Sequence, residues 1–181
     1  TSLSGQDAPC GWFQENLQTE TYTNGDALLS ASAPSEWVAV NEGALAAFGD
    51  DLANVLDYGF LYNWAAVEDA RGICPVGWHV STSDEWSEVA AYLGGDQMAG
   101  TAMKATPWDP IPWDGSNSSG FSARPAGGRS AEGEDVNLGS LGVWFMAQGA
   151  AAAYSILNSY DQSAVFADNC IGCGLSIRCV K

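Results

Sequence analysis

Basic residues are missing from the first part of the sequence. No lysine or arginine occurs before Arg71, so residues 1–70 carry 11 acidic residues and no basic one. In the whole chain 6 basic residues stand against 22 acidic ones, and the formal net charge is −16. Nucleic acids and anionic membranes bind basic surfaces, so no nucleic acid partner is expected. We interpret the acidic excess as a feature of a well-hydrated surface. The alternative interpretation is that the acidic residues bind divalent cations.

Long hydrophobic runs are also missing. The longest candidate, residues 147–156, is short and includes polar residues, whereas a membrane-spanning helix needs about 20 apolar residues. Apolar residues nevertheless make up 46% of the chain, enough to build a core. We therefore expect a single globular domain with no direct insertion into a membrane.

The cysteines lack the partners that a zinc or redox site would need. The one close pair, Cys170 and Cys173, has no second pair at zinc-ribbon spacing, and its glycines predict a tight loop and not a redox helix start. Disulfides formed in an oxidising compartment are the simplest account. Because five is an odd number, one thiol is free or bridges to another chain. The five are Cys10, Cys74, Cys170, Cys173 and Cys179.

The first residues are small and polar. We expect residues 1–11 to form an N-terminal arm and residues 12–181 a single domain. The chain begins at Thr1 and not at a methionine, which fits removal of a signal peptide. Together with disulfides, this predicts an extracellular or cell-surface location.

Local patterns predict an α+β fold with long loops. Thr82 and Glu85 have capping-box spacing, and apolar residues recur at helical spacing from Trp86 to Leu93, so one amphipathic helix is predicted there. Residues 58–67 fit either a helix or a strand. Residues 13–17 are expected to pair at a sheet edge, and residues 106–120 to form a long loop. Short strands are predicted at residues 120–123, 143–146, 154–157, 164–167 and 175–180.

A series of short motifs carries a family resemblance. They include residues 62–67 (YNWAAV), 71–80 (RGICPVGWHV), 103–105 (MKA), 117–123 (NSSGFSA), 127–129 (GGR) and 175–180 (LSIRCV). In this order they resemble the Fibrobacter succinogenes major paralogous domain, over about residues 12–181. The resemblance implies a secreted or surface-exposed bacterial domain with a C-type lectin-like fold. It would have two helices, small antiparallel sheets and long loops, as in formylglycine-generating enzymes.

The resemblance also bears on the disulfides. Cys74 and Cys179 lie in two matching motifs, and a bridge between them would join the strand before the predicted helix to the last strand. Closing that loop would stabilise the fold by about 4 kcal/mol. Cys170 and Cys173 depart from the family pattern, and we expect either a local bridge or pairing of one of them with Cys10.

Aromatic residues are the candidates for a binding surface. Trp108 and Trp113 lie in a proline-rich loop where exposure is expected, and such rings stack on sugars or anchor protein interfaces. Near Trp144, itself also a core candidate, the chain has apolar and small residues that suit packing against a neighbouring protein. The candidate ligand or interface residues are Trp108, Trp113, Trp144, Phe145, Tyr154 and Tyr160.

Two acidic clusters are candidates for calcium, which takes six to eight oxygen ligands. Neither has EF-hand spacing, so a solvated loop is the favoured interpretation and no cofactor is expected to be required. The first cluster is Asp50, Asp51 and Asp57, and the second is Glu132, Glu134, Asp135 and Asn137.

The sequence favours binding or assembly over catalysis. A catalytic Cys74 with His79 as its base would need a spatial partner and an orienting carboxylate, and we expect no enzyme activity. The leading hypothesis is a structural or adhesive module that assembles with copies of itself or with other surface proteins. The alternative is a lectin-like domain that binds carbohydrate or protein, with calcium as its one candidate ion.

Overall fold

The computed structural model describes residues 11–148, 151–159, 161–168 and 170–181. Cys10 and Tyr160, named above as a disulfide candidate and an interface candidate, lie outside these residues. Within them the fold is mixed α+β, as the sequence predicts, with short helices, small sheets and two disulfides.

Five α-helices occur in the described residues, where the family resemblance implies two. The three additional helices could not be predicted because each has only five or six residues, too few to show a helical repeat of apolar residues. The helices are α1 (Pro34–Ala39), α2 (Ala53–Tyr58), α3 (Trp64–Glu68), α4 (Ser83–Tyr92) and α5 (Asp96–Met103), with a 3-10 turn at Phe48–Asp50.

The strands form four small sheets in the described part of the chain. Most pairings are antiparallel as predicted, but β1 runs parallel to β2. The sheets have the orders β1-β2-β3, β10-β4, β5-β6 and β7-β8-β9. The strands are β1 (Leu29–Ser30), β2 (Ala44–Ala46), β3 (Leu61–Tyr62), β4 (His79–Val80), β5 (Gly128–Arg129), β6 (Asp135–Val136), β7 (Leu141–Gln148), β8 (Ala151–Asn158), β9 (Ala164–Ala167) and β10 (Cys179–Val180).

The sheet β7-β8-β9 separates two hydrophobic clusters. Successive side chains of a strand point to opposite faces, so Trp144 and Met146 pack with α4 and α5 on one face. Phe145 packs with Trp64 and Leu175 on the other face. Because both faces of the sheet are covered, the residues in the middle of β7 are all apolar and do not alternate with polar ones.

The predicted amphipathic helix is confirmed as α4. The Thr82 hydroxyl accepts a hydrogen bond from the Glu85 backbone amide at 3.3 Å, and the Glu85 carboxylate accepts one from the Thr82 amide at 2.8 Å. This reciprocal pair satisfies two backbone donors at the start of the helix. Trp86 is fully buried and Leu93 half-buried on the predicted apolar face.

Residues 58–67 resolve into a strand followed by a helix. Leu61 and Tyr62 pair with β2, and Asn63 then caps α3, its side-chain oxygen accepting from the Ala66 amide at 3.1 Å. A single polar residue therefore divides the aromatic run. The predicted strand at residues 120–123 is wrong, because only Ala123 pairs there, in a bridge with Lys104.

The first described segment lies against the end of the chain, and residues 13–17, predicted to pair at a sheet edge, form backbone hydrogen bonds there without becoming a strand. The Phe13 amide donates to the Cys179 carbonyl at 3.1 Å, and the Leu17 amide to the Ile177 carbonyl at 3.0 Å. The two ends of the domain are thereby held in one backbone ladder.

Arg178 lies fully buried beneath this ladder. Its guanidinium donates to the Asn16 side-chain oxygen at 2.7 Å and to the backbone carbonyls of Phe13 at 2.7 Å, Phe121 at 2.8 Å and Ser122 at 3.3 Å. Burial lowers the pKa of Arg178 to about 9, so the side chain is still a cation at neutral pH. It joins three chain segments that are remote in sequence.

The Cys74–Cys179 disulfide is present, with a Cα–Cα distance of 5.8 Å and a sequence separation of 105 residues. Cys170 and Cys173 form the local bridge, which was one of the two alternatives. The pairing of either residue with Cys10 is therefore wrong. The long-range bridge joins the segment before β4 to β10, beside the backbone pairing of those two strands.

Replacing Arg178 by methionine removes the donors from three buried or partly buried backbone carbonyls. We expect Arg178→Met to lower the free energy of unfolding by about 3–5 kcal/mol, since buried acceptors are left unsatisfied. Arg71→Met is the matched control, because Arg71 is 36% exposed and surface ion pairs contribute about 1 kcal/mol or less. Urea denaturation followed by tryptophan fluorescence measures both, and equal losses would contradict the role given to Arg178.

The two disulfides are expected to differ in their effect on stability. In the loop-entropy model, the Cys74→Ser/Cys179→Ser variant loses about 4–5 kcal/mol and the Cys170→Ser/Cys173→Ser variant about 2 kcal/mol. The physical reason is the much longer chain that the first bridge closes. Thermal denaturation of the two double variants tests this, and a larger loss in the second variant would show that the order is wrong.

Candidate functional site

Three of the six basic residues are buried: Lys104, Arg129 and Arg178. Lys104 donates from Nζ to the carbonyls of Asn158 and Asp161, both at 3.0 Å, and pairs with Asp114 at 2.8 Å. Since half of the cations are enclosed, the outer surface is more acidic than the net charge alone indicates.

Arg129 brings the two predicted acidic clusters together. Its guanidinium contacts Asp135 at 2.7 Å and Asp50 at 3.4 Å, and it donates to the carbonyls of Ala31 and Ser32. Burial alone lowers the pKa of Arg129, but the hydrogen bonds and charges of Asp135 and Asp50 raise it overall. Asp50 and Asp135 are therefore counter-ions of the buried Arg129 guanidinium.

The other calcium candidates lie apart. Asp51 accepts from the Ala53 amide at the start of α2, and the Asp57 backbone carbonyl accepts from Arg124. Across the described ranges, no group of three or more His, Cys, Asp or Glu side chains is placed to hold a metal ion. The exposed Glu132, Glu134 and Asn137 lie in the turn around β6, and calcium binding stays a prediction.

Trp113 is buried, so the exposure predicted for it is wrong. The loop at residues 106–120 folds back on itself, the Trp113 amide donating to the Thr106 carbonyl at 3.2 Å. The Trp113 indole N–H donates to the Ser159 hydroxyl at 2.8 Å, which satisfies the buried ring. Trp108, in contrast, is 92% exposed.

Trp144 and Phe145 are fully buried and cannot belong to a surface. They were placed among the interface candidates because of their apolar neighbours, but those neighbours face the two clusters on either side of β7. Trp144 donates its indole N–H to Asn16 at 2.8 Å. Tyr154 is half-buried on β8, on the same face as Phe145.

Cys74 has no thiol to act as a nucleophile, because it is bonded to Cys179. His79 lies on β4 as a strand residue, although it is exposed and not partly buried. Its Nε2 contacts Glu85 at 2.8 Å. The arrangement first considered for catalysis is thus a disulfide next to a histidine–carboxylate pair.

A groove opens between α1 and α3 and is closed at one side by the loop that carries the Cys170–Cys173 bridge. We call it the α1–α3 groove. Its volume is about 280 Å³, and its lining residues include Trp37, Val38, Trp64, Glu68 and Ile171. None of these was named as a candidate from the sequence, because the two helices are short and the loop lies more than 100 residues further along the chain.

Two apolar side chains stand exposed at the edge of the α1–α3 groove. Val38 is 62% exposed and Ile171 is 59% exposed, whereas Trp37 and Trp64 are each 4% exposed. The Trp37 indole N–H donates to the Gly172 carbonyl at 2.9 Å, which fixes the disulfide loop over α1. The groove therefore has a mixed polar and apolar lining, two exposed apolar side chains at its edge and a rigid base.

Further cavities lie elsewhere on the described surface. One of about 380 Å³ is lined by Leu28, Leu52 and Phe60 together with Glu20 and Asp50. Another of about 290 Å³ lies beside the long-range disulfide and the histidine–carboxylate pair. No helix in the described residues is long and apolar enough to cross a membrane.

The motifs that first suggested a relationship can now be compared with a known family. The sequence model of the Fibrobacter succinogenes major domain matches residues 9–181. The chain belongs to this family. No curated protein and no solved structure matches the chain.

In this Fibrobacter succinogenes major domain, the motif residues build the scaffold. Lys104, Arg129 and Arg178 are the buried cations of three separate motifs, and the motif residues Tyr62 and Trp64 are also buried. The predicted family is confirmed, and many of the residues that identify it lie in the interior. The exposed residues of the α1–α3 groove lie largely outside those motifs, which explains why sequence comparison did not reveal it.

One exposed ion pair predicts a pH dependence. Hydrogen bonds from Arg71 lower the pKa of Asp69 from 3.8 to about 2. A lowered folded-state pKa stabilises the domain above the unfolded-state value and loses that contribution as the pH falls. We expect Asp69→Asn to be less stable than the wild type at pH 7, with the difference vanishing between pH 3.8 and about 2. Thermal midpoints of both proteins across this range test it, and a constant difference would contradict it.

Proposed function

We propose that this domain is a non-catalytic extracellular module that assembles into, or decorates, a cell-surface structure such as a filament or appendage. The observation that carries the proposal is the α1–α3 groove, a depression with the apolar side chains of Val38 and Ile171 exposed at its edge. Exposed apolar patches within a polar surface are typical of protein-binding sites. Fixed side chains beneath them reduce the entropy that binding costs.

The proposed location is the cell exterior. Two disulfides, one of them closing 105 residues, suit a protein that folds in an oxidising compartment. The acidic surface suits a hydrated environment in which charges are screened by salt. The proposal extends to a C-type lectin-like fold, which short helices, small sheets and a long ordered loop at residues 106–120 support.

A lectin-like function remains the alternative, and Trp108 is the observation that favours it. Trp108 is 92% exposed. It precedes Asp109 in a turn where the Asp109 carboxylate accepts a hydrogen bond from the Thr106 amide at 2.6 Å. An exposed ring next to polar groups can stack on the apolar face of a sugar. Burial of Trp113 removes the second ring that this alternative used.

Native mass distinguishes the two functions. We expect the protein released from its own cell surface to run in particles far larger than 19.0 kDa, when light scattering is measured with and without a chelator. Particles that survive chelation support assembly through protein contacts. A monomer under every condition would contradict assembly, and a rise of its thermal midpoint on adding sugar or calcium would favour the lectin.

A further inference from the structure

The base of the α1–α3 groove is held rigidly from beneath. The Trp37 ring lies 5.4 Å from the guanidinium of Arg129, and the Trp64 ring lies 5.5 Å from the ring of Phe145. Neither tryptophan can turn without disturbing a buried neighbour. A volume of about 280 Å³ is at the lower end of small-ligand sites, which suits one or two side chains of an extended segment.

The mouth of the groove is negative. Glu68 is the one charged residue that lines it within the described chain, and its carboxylate has no hydrogen bond or ion pair with a described residue. It is the last residue of α3, where the helix carbonyls add partial negative charge. The nearby cation, Arg129, already contacts Asp50 and Asp135. A cationic group at the mouth would therefore meet an unmatched negative potential.

A second copy of this chain is poorly suited to supply that cationic group. Three of its six basic residues are buried, and Arg71 and Arg124 each contact acidic residues of the same chain. Lys181 is the one basic residue left exposed without such a contact in the described chain. Residues 1–10 contain no basic residue. Two copies, each with a formal charge of −16, also repel each other. Charge complementarity favours a basic segment of a different protein.

We propose that the α1–α3 groove binds an extended segment of a different protein, in which an apolar side chain lies between Val38 and Ile171 and an adjacent lysine or arginine pairs with Glu68. The proposal rests on the proposed function, since it names the chemistry by which the module would dock. Apolar contact supplies most of the affinity, and the ion pair sets the orientation and the choice of partner.

Two peptides serve as probes of the groove. The basic one is acetyl-GSLKLKSG-amide, and the uncharged one is acetyl-GSLQLQSG-amide. At about 150 mM salt we expect the basic peptide to bind with a dissociation constant below about 100 µM, and the uncharged one at least about fivefold more weakly. In two-dimensional NMR of the whole domain, the shifts should concentrate on the groove and include the Trp37 indole N–H.

Matched variants separate the groove from the acidic surface as a whole. We expect Glu68→Gln to weaken binding of the basic peptide about threefold to fivefold and Val38→Ser about fivefold. The controls are Glu88→Gln, an exposed acid on α4, and Leu56→Ser, a 74% exposed apolar residue on α2. Each control should change binding by less than about twofold.

Three results would overturn the proposal. Equal weakening by Glu68→Gln and Glu88→Gln, with shifts spread over the surface, would show unspecific attraction to an acidic protein. Equal binding of both peptides would remove the role of Glu68. Tighter binding of a peptide with the sequence of residues 1–10 would identify a second copy as the occupant. Large native particles together with any of these results would leave assembly intact and place its contacts on another surface.

Discussion

The guanidinium of Arg178 is the interaction on which the rest of the structure depends. It is fully buried near the end of the chain, and its partners are an amide oxygen and three backbone carbonyls from residues 13–16 and 121–122. A buried cation is costly unless its donors are satisfied, so these segments must reach their native positions together. Stacking of Arg178 over Phe121 at 4.3 Å extends the same requirement to the largest hydrophobic cluster.

Lys104 and Arg129 organise loops in the same way. Each donates to two backbone carbonyls of a distant segment and pairs with at least one carboxylate. Loops normally lie in solvent because their backbone groups cannot be satisfied inside. Here cationic side chains supply the missing donors, so a protein with four small sheets in its described part can still enclose long connections.

Features set by local interactions could be predicted, and features set by distant contacts could not. The start of α4 could be predicted because Thr82 and Glu85, three residues apart, form a capping box. The loop at residues 106–120 could be predicted from its many turn-forming residues. Nothing local indicates α5, whose Gly100 is required because a Cβ there would lie 2.6 Å from the carbonyl oxygens of residues 162 and 163. The burial of Trp113 depends on Ser159, and the α1–α3 groove needs a loop from the far end of the sequence, so neither had a local signal.

The loop with the Cys170–Cys173 bridge is synthesised long after α1 and α3, so the groove is completed late in synthesis. Trp64 and Glu68 leave the ribosome early, whereas Ile171 and Gly172 follow on the order of a hundred residues later, a delay of about 5–20 s at usual elongation rates. Until then Trp37 lacks the carbonyl to which it donates, and the groove is open at the side that the loop closes. An unfinished or truncated chain presents no complete groove, so a partner that recognises it selects full-length molecules.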